Sequence, residues 1–132
     1  MVYSLNMATT EETLASLIKD AITEVKSTKD RATIVLSTNG SFLDVLYSTA
    51  GNSFLPMIKI YLNIPKGKSI NGITAKSWDY REVMAEIETR ETNDNRIDEV
   101  SLGAARAVIS GKRAVFKKNF GFRRVKHGPT DF

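Results

Sequence analysis

Between Thr9 and Val25 the apolar residues Leu14, Leu17, Ile18, Ala21, Ile22 and Val25 recur three and four positions apart, with polar side chains between them. That spacing lines one face of an α-helix. Thr9 and Glu12 have the spacing of a capping box, in which a hydroxyl and a carboxylate satisfy the free N–H groups of the first turn. Ala32 to Ser37 carries the β-rich run Thr33-Ile34-Val35-Leu36 and ends in Thr38-Asn39-Gly40-Ser41, so it reads as a short buried strand closed by a turn. Phe42, Val45 and Leu46, between a capping Ser41 and a stop at Gly51, predict a brief helix. The clearest strand is Ile58 to Ile64, where four large aliphatic residues alternate with Lys59, Tyr61 and Asn63.

After Pro65-Lys66-Gly67-Lys68, which has turn chemistry, Ile70 and Ile73 predict the second arm of a hairpin that Gly72 weakens. Ser77 then caps an expected helix with Tyr80, Val83, Met84 and Ile87 on its inner stripe, ending near Arg90. Thr92 to Asn95 is a polar break. Ile97, Val100, Ala104, Ala107 and Val108 resume a helical period up to Ser110, with Gly111 as the stop. Two short extended runs, 114–116 and 120–125, flank Lys118-Asn119 and suggest a basic C-terminal hairpin. With no internal repeat and no Pro/Gly-rich linker, these elements make one small α+β domain of an N-terminal helix, a short sheet, two further helices and the basic C-terminal segment.

Composition changes this picture little, and charge changes it more. The 132 residues are 42% hydrophobic and 26% charged, which fits an ordinary globular domain. The chain contains no cysteine, which excludes disulfides and thiolate metal sites, and His127 is its one histidine. No apolar run reaches the roughly 18 to 20 residues of a bilayer span, and the first residues lack a basic flank, so a cytoplasmic protein away from membranes is expected. The net charge of +4 is unevenly spread: residues 1–99 hold 11 basic and 14 acidic side chains, whereas residues 100–132 hold eight basic ones against Asp131 alone. The eight are Arg106, Lys112, Arg113, Lys117, Lys118, Arg123, Arg124 and Lys126. A field of one sign at that density attracts polyanions, of which nucleic acid is the commonest.

The same region carries a resemblance. A small-residue helix ending in Ser110-Gly111-Lys112-Arg113, followed by Phe120-Gly121-Phe122-Arg123-Arg124, resembles the helix-turn-helix repeats of homing endonucleases and of other bacteriophage DNA-binding proteins, over roughly residues 96–125. The resemblance implies that the helix from Ile97 to Ser110 lies against a duplex and that Lys112, Arg113, Arg123 and Arg124 contact phosphates. The chain departs from the pattern in its long Thr92 to Asp98 break and in having no attached nuclease motif.

Phe116, Phe120 and Phe122 either close the core or stack on unpaired bases. Glu82 and Glu86, one turn apart on the expected helix, could hold Mg²⁺ together with Asp79 or Glu91, but a solvated helix face accounts for them more simply. Ser37 to Ser41 could cradle an anion, yet it lacks a phosphate loop's Gly-Lys-Ser/Thr ending and reads as an Asn-Gly turn. Trp78, the single tryptophan, reads as a core or interface anchor. The expectation is a non-enzymatic, largely sequence-tolerant DNA-binding protein without metal or cofactor, in which a homodimer would double the phosphate contacts. The alternative is an interaction module, an inhibitor or adaptor, whose basic face meets an acidic protein.

Overall fold

The computed structural model describes residues 2–4, 10–49 and 56–111. The described residues form one five-stranded sheet with two helices on one of its faces. In chain order the elements are β1 (Val2–Ser4), α1 (Glu11–Thr28), β2 (Arg31–Val35), β3 (Phe42–Ser48), β4 (Met57–Ile64), the two-residue strands β5 (Ser69–Ile70) and β6 (Ile73–Thr74), β7 (Tyr80–Glu88) and α2 (Asp94–Ser110). The sheet order is β1-β2-β3-β4-β7, antiparallel except for β1, which runs parallel to β2. This α+β architecture agrees with the expected class.

Helix α1 forms where the periodicity places it, but its cap is one residue later than the sequence suggests. The Thr10 hydroxyl accepts the Thr13 N–H at 3.2 Å. At the other end Lys29 adopts a left-handed conformation, and its N–H reaches the Val25 carbonyl. Leu14, Ile18, Ala21, Ile22 and Val25 are buried against the sheet. Helix α2 starts earlier than its apolar period: Asn93 caps it, accepting the Arg96 N–H at 2.9 Å, so part of the expected polar break is helix. The helices run antiparallel, as Glu11 with Arg106 and Lys19 with Asp98 show. The hydrogen bond and nearby charge of Asp98 hold the Lys19 ammonium above its ordinary pKa.

Two expected helices are strands. The segment after Ser41 is β3, because the tight Ser37–Ser41 turn sends the chain straight back along β2: Leu36 N–H reaches the Ser41 carbonyl at 2.9 Å, and Val35 faces Phe42. Leu43 and Val45 face the helices, while Phe42, Asp44 and Leu46 lie on the opposite face, so half-apolar alternation had imitated a helical stripe. The segment after Ser77 is β7, paired along its whole length with β4. A bulge lies between Ile60 and Tyr61: Ile60 faces Ala85 and Tyr61 faces Val83, leaving Met84 as the extra residue. The bulge shifts the alternation, so Tyr80, Met84 and Ile87 all meet the core at intervals that mimic a helix. Among the described residues α2 is therefore the one α-helix after α1. The expected C-terminal hairpin lies outside the described residues.

The bulge also separates Glu82 from Glu86. Glu82 pairs across the sheet with Leu62 on the helix-covered side, and Glu86 pairs with Lys59 on the other. Glu82 is only 4% exposed and accepts a hydrogen bond from the Tyr80 hydroxyl at 2.9 Å. The solvated acidic helix face expected there does not exist.

Candidate nucleic-acid interface

Between β4 and β7 the chain makes an excursion, residues 65–79, that the sequence suggested as a hairpin with β4 but that pairs with itself. Its arms are joined by Gly67 N–H to Ala75 O at 2.7 Å and Ala75 N–H to Lys68 O at 2.9 Å, and Ser69 and Ile70 face Thr74 and Ile73. Asn71 and Gly72 turn the tip with φ of 51° and 85°, the left-handed pair that a two-residue hairpin requires. Ile73 and Ala75 point inward and are buried, anchoring the excursion to the core. Asn39 of the β2–β3 turn donates its amide to Ser69 O at 3.0 Å, and the Lys66 N–H is held by an Asp79 carboxylate oxygen at 2.8 Å.

This construction leaves Lys66, Lys68, Lys76 and Trp78 exposed on one excursion. Trp78, at 39%, is the exposed large hydrophobic among the described residues, so it is no core anchor. The six cations Lys19, Arg31, Arg81, Arg90, Arg96 and Arg106 are paired with carboxylates, whereas among the described residues no carboxylate pairs with Lys66, Lys68 or Lys76. Their side chains are exposed, and the Asp79 carboxylate of the same excursion is held on the Lys66 backbone N–H.

The excursion also touches the place where the basic C-terminal segment begins. The Asn71 amide donates to the Val108 carbonyl in the last turn of α2 at 2.8 Å. Gly111, which ends the helix with φ 70°, is packed so closely that a β-carbon there would stand 2.5 Å from the Asn71 carbonyl oxygen. Lys112 follows directly in the chain. The excursion that carries three lysines and a tryptophan is therefore tied by its tip to the end of α2.

Of the eight cations expected to contact nucleic acid, Arg106 is described. It lies on the exposed side of α2, with its Nε 3.3 Å from Glu11 Oε1. Lys112, Arg113, Lys117, Lys118, Arg123, Arg124 and Lys126 lie outside the described residues, as do Phe116, Phe120, Phe122 and His127. α2 itself has little to bring to a phosphate backbone. Its exposed positions include Asp94, Asp98 and Glu99, with Asp98 bonded to Lys19 and Glu99 to Arg96, while its opposite side is buried against α1 and the sheet. β7 and a 3-10 turn at Thr89–Glu91 lead into it, in place of a preceding helix.

The sheet face away from the helices holds a second polar cluster. Asp44, 3% exposed, sits between Arg31 at 3.2 Å and Arg81 at 3.6 Å. Arg81 also donates to Asn63 Oδ1 at 2.6 Å. The guanidinium lies 3.8 Å from the centre of the Tyr61 ring. A cleft of about 150 Å³ opens beside it, lined by Phe42, Asn63, Ile64, Pro65, Asp79, Tyr80 and Arg81. Because Arg81 is already committed to an anion, an amide and a ring, this cluster reads as the polar centre of the uncovered face.

Among the described residues no three His, Cys, Asp or Glu side chains are grouped to hold a metal ion. The turn at Ser37–Ser41 spends its own donors internally, with Asn39 N–H on Ser37 Oγ, Ser41 N–H on Asn39 Oδ1 and Gly40 N–H on Ser37 O. It is an Asn-Gly turn and leaves those amides unavailable to an anion. No family model, curated protein or solved structure matches the chain.

Proposed function

We propose that this chain is a non-enzymatic DNA-binding protein that grips the phosphate backbone with one cationic end, made of Lys66, Lys68 and Lys76 together with the basic residues 112–126. The observation that carries the reading is the contact of the lysine-bearing excursion with Val108 and Gly111, where the basic segment begins. Residues 1–111 hold 12 basic and 14 acidic side chains, and residues 112–132 hold seven basic and one acidic. With Lys66, Lys68 and Lys76 set aside, residues 1–111 hold nine basic and 14 acidic side chains, so attraction for a polyanion depends on where the cations are gathered. Lysines that face solvent without an anion partner lose little on meeting a phosphate and release its condensed counterions, which is the main source of sequence-tolerant affinity. Among the described residues no helix is long and apolar enough to cross a membrane.

The test is the anisotropy of a fluorescein-labelled DNA duplex titrated with the protein across a range of salt. The expected log–log slope of affinity against salt is about −3 to −5. Failure to bind duplex DNA, single-stranded DNA or RNA at low salt would overturn the reading and leave an acidic protein as the partner of the basic end.

A further inference from the structure

Resting on that reading, the geometry points to Trp78 as a stacking platform for an unpaired base, so that the excursion carrying Lys66, Lys68 and Lys76 holds single-stranded DNA in preference to duplex. Trp78 stands on the outgoing arm of the excursion, between the buried Ala75 that anchors that arm and the start of β7. Burying an indole is among the largest apolar gains available to a fold, and here Ile73 and Ala75 already fill the inward positions. The ring is left on the solvent side with Lys76 two residues before it. The arm carrying Lys66 and Lys68 is tied alongside by the Lys66 N–H to Asp79 and Gly67 N–H to Ala75 bonds. An exposed indole on an excursion that bears exposed lysines supplies the two elements that bind single strands: cations follow the phosphates, and a ring accepts the face of any base. A duplex offers its phosphates to the same lysines but keeps its base faces stacked, and unstacking them costs free energy. The indole therefore adds affinity only where bases are already unpaired.

Because Trp78 is the single tryptophan, its fluorescence reports this position alone. The experiment titrates the full chain with fluorescein-labelled oligo(dT) and with a duplex of equal length, following label anisotropy and, with unlabelled strands, tryptophan emission. Oligo(dT) is expected to quench Trp78 strongly and the duplex to leave it nearly unchanged. Trp78→Ala should weaken oligo(dT) binding about tenfold, the loss of one base–aromatic stack, while leaving duplex affinity and the salt slope as they were. Trp78→Phe should restore most of the loss. Oligo(dT) binding that leaves Trp78 emission unchanged, or that is as tight in Trp78→Ala as in the wild type, would overturn this inference and leave the backbone-binding reading standing. Quenching by poly-glutamate and not by oligo(dT) would also overturn it, in favour of an acidic protein. Absence of anisotropy change with either nucleic acid would overturn the underlying function as well.

Discussion

The side chain of Asn71, at the tip of the β5–β6 hairpin, donates to the carbonyl of Val108 in the last turn of α2 at 2.8 Å. A helix leaves its final carbonyls without intrahelical partners, and this amide satisfies one of them. The bond joins the lysine excursion to the end of α2, after which the sequence runs into the basic residues 112–126.

That junction is sensitive to a single methyl group. Gly111→Ala would place a β-carbon 2.5 Å from a backbone oxygen of Asn71 at a residue with φ 70°. Neither feature can relax through a flexible side chain. The substitution is expected to cost about 1 to 3 kcal/mol, against about 1 kcal/mol for Asn71→Ala, which removes the hydrogen bond. Urea denaturation checks both, and a Gly111→Ala midpoint equal to that of the wild type would contradict the packing described.

The two arginines around Asp44 should differ. Arg31 is more than half exposed, so Arg31→Ala is expected to change stability by no more than about 1 kcal/mol. Arg81 is mostly buried and also holds Asn63 and the Tyr61 ring. Arg81→Met should cost about 2 to 4 kcal/mol, because Asp44 remains buried with its partly exposed partner alone. Equal losses in thermal or urea unfolding would show that burial does not rank these pairs.

Glu82 and Glu86 are held on opposite faces of β7 and do not form a shared carboxylate site. Plasmid incubated with the protein and Mg²⁺ is therefore expected to stay intact. Tyr80→Phe should reduce stability by about 1 to 2 kcal/mol, since it withdraws a donor from a buried carboxylate. Mg²⁺-dependent cleavage that vanished in Glu82→Gln would contradict this assignment.

Long, regular patterns were legible in the sequence and irregular ones were not. α1, β4 and α2 each bury one face over several turns or alternations, so Leu14 to Val25, Ile58 to Ile64 and Ile97 to Val108 announced themselves. β3 was disguised by Phe42 and Leu46, apolar residues on the uncovered face, and β7 by the extra residue Met84. Both errors arise from tertiary pairing, which local periodicity does not encode. The cationic end was half legible. Its basic C-terminal run stands out as composition, but Lys66, Lys68 and Lys76 look like turn residues until the Asn71–Val108 contact ties their excursion to the last turn of α2. The exposure of Trp78 had no local signal at all.

The central claim is that the excursion belongs to the binding surface, and the salt dependence of duplex binding tests it most directly. In Lys66→Ala/Lys68→Ala/Lys76→Ala the three substitutions remove exposed charges without a described ion pair, so the melting temperature should stay close to that of the wild type. Each lost phosphate contact removes about 0.9 from the log–log slope. The account predicts weaker binding and a slope flatter by about one to two units, reflecting contacts from part of the lysine set. A variant that binds the duplex with wild-type affinity and an unchanged slope would contradict it, leaving residues 112–126 to act without the excursion.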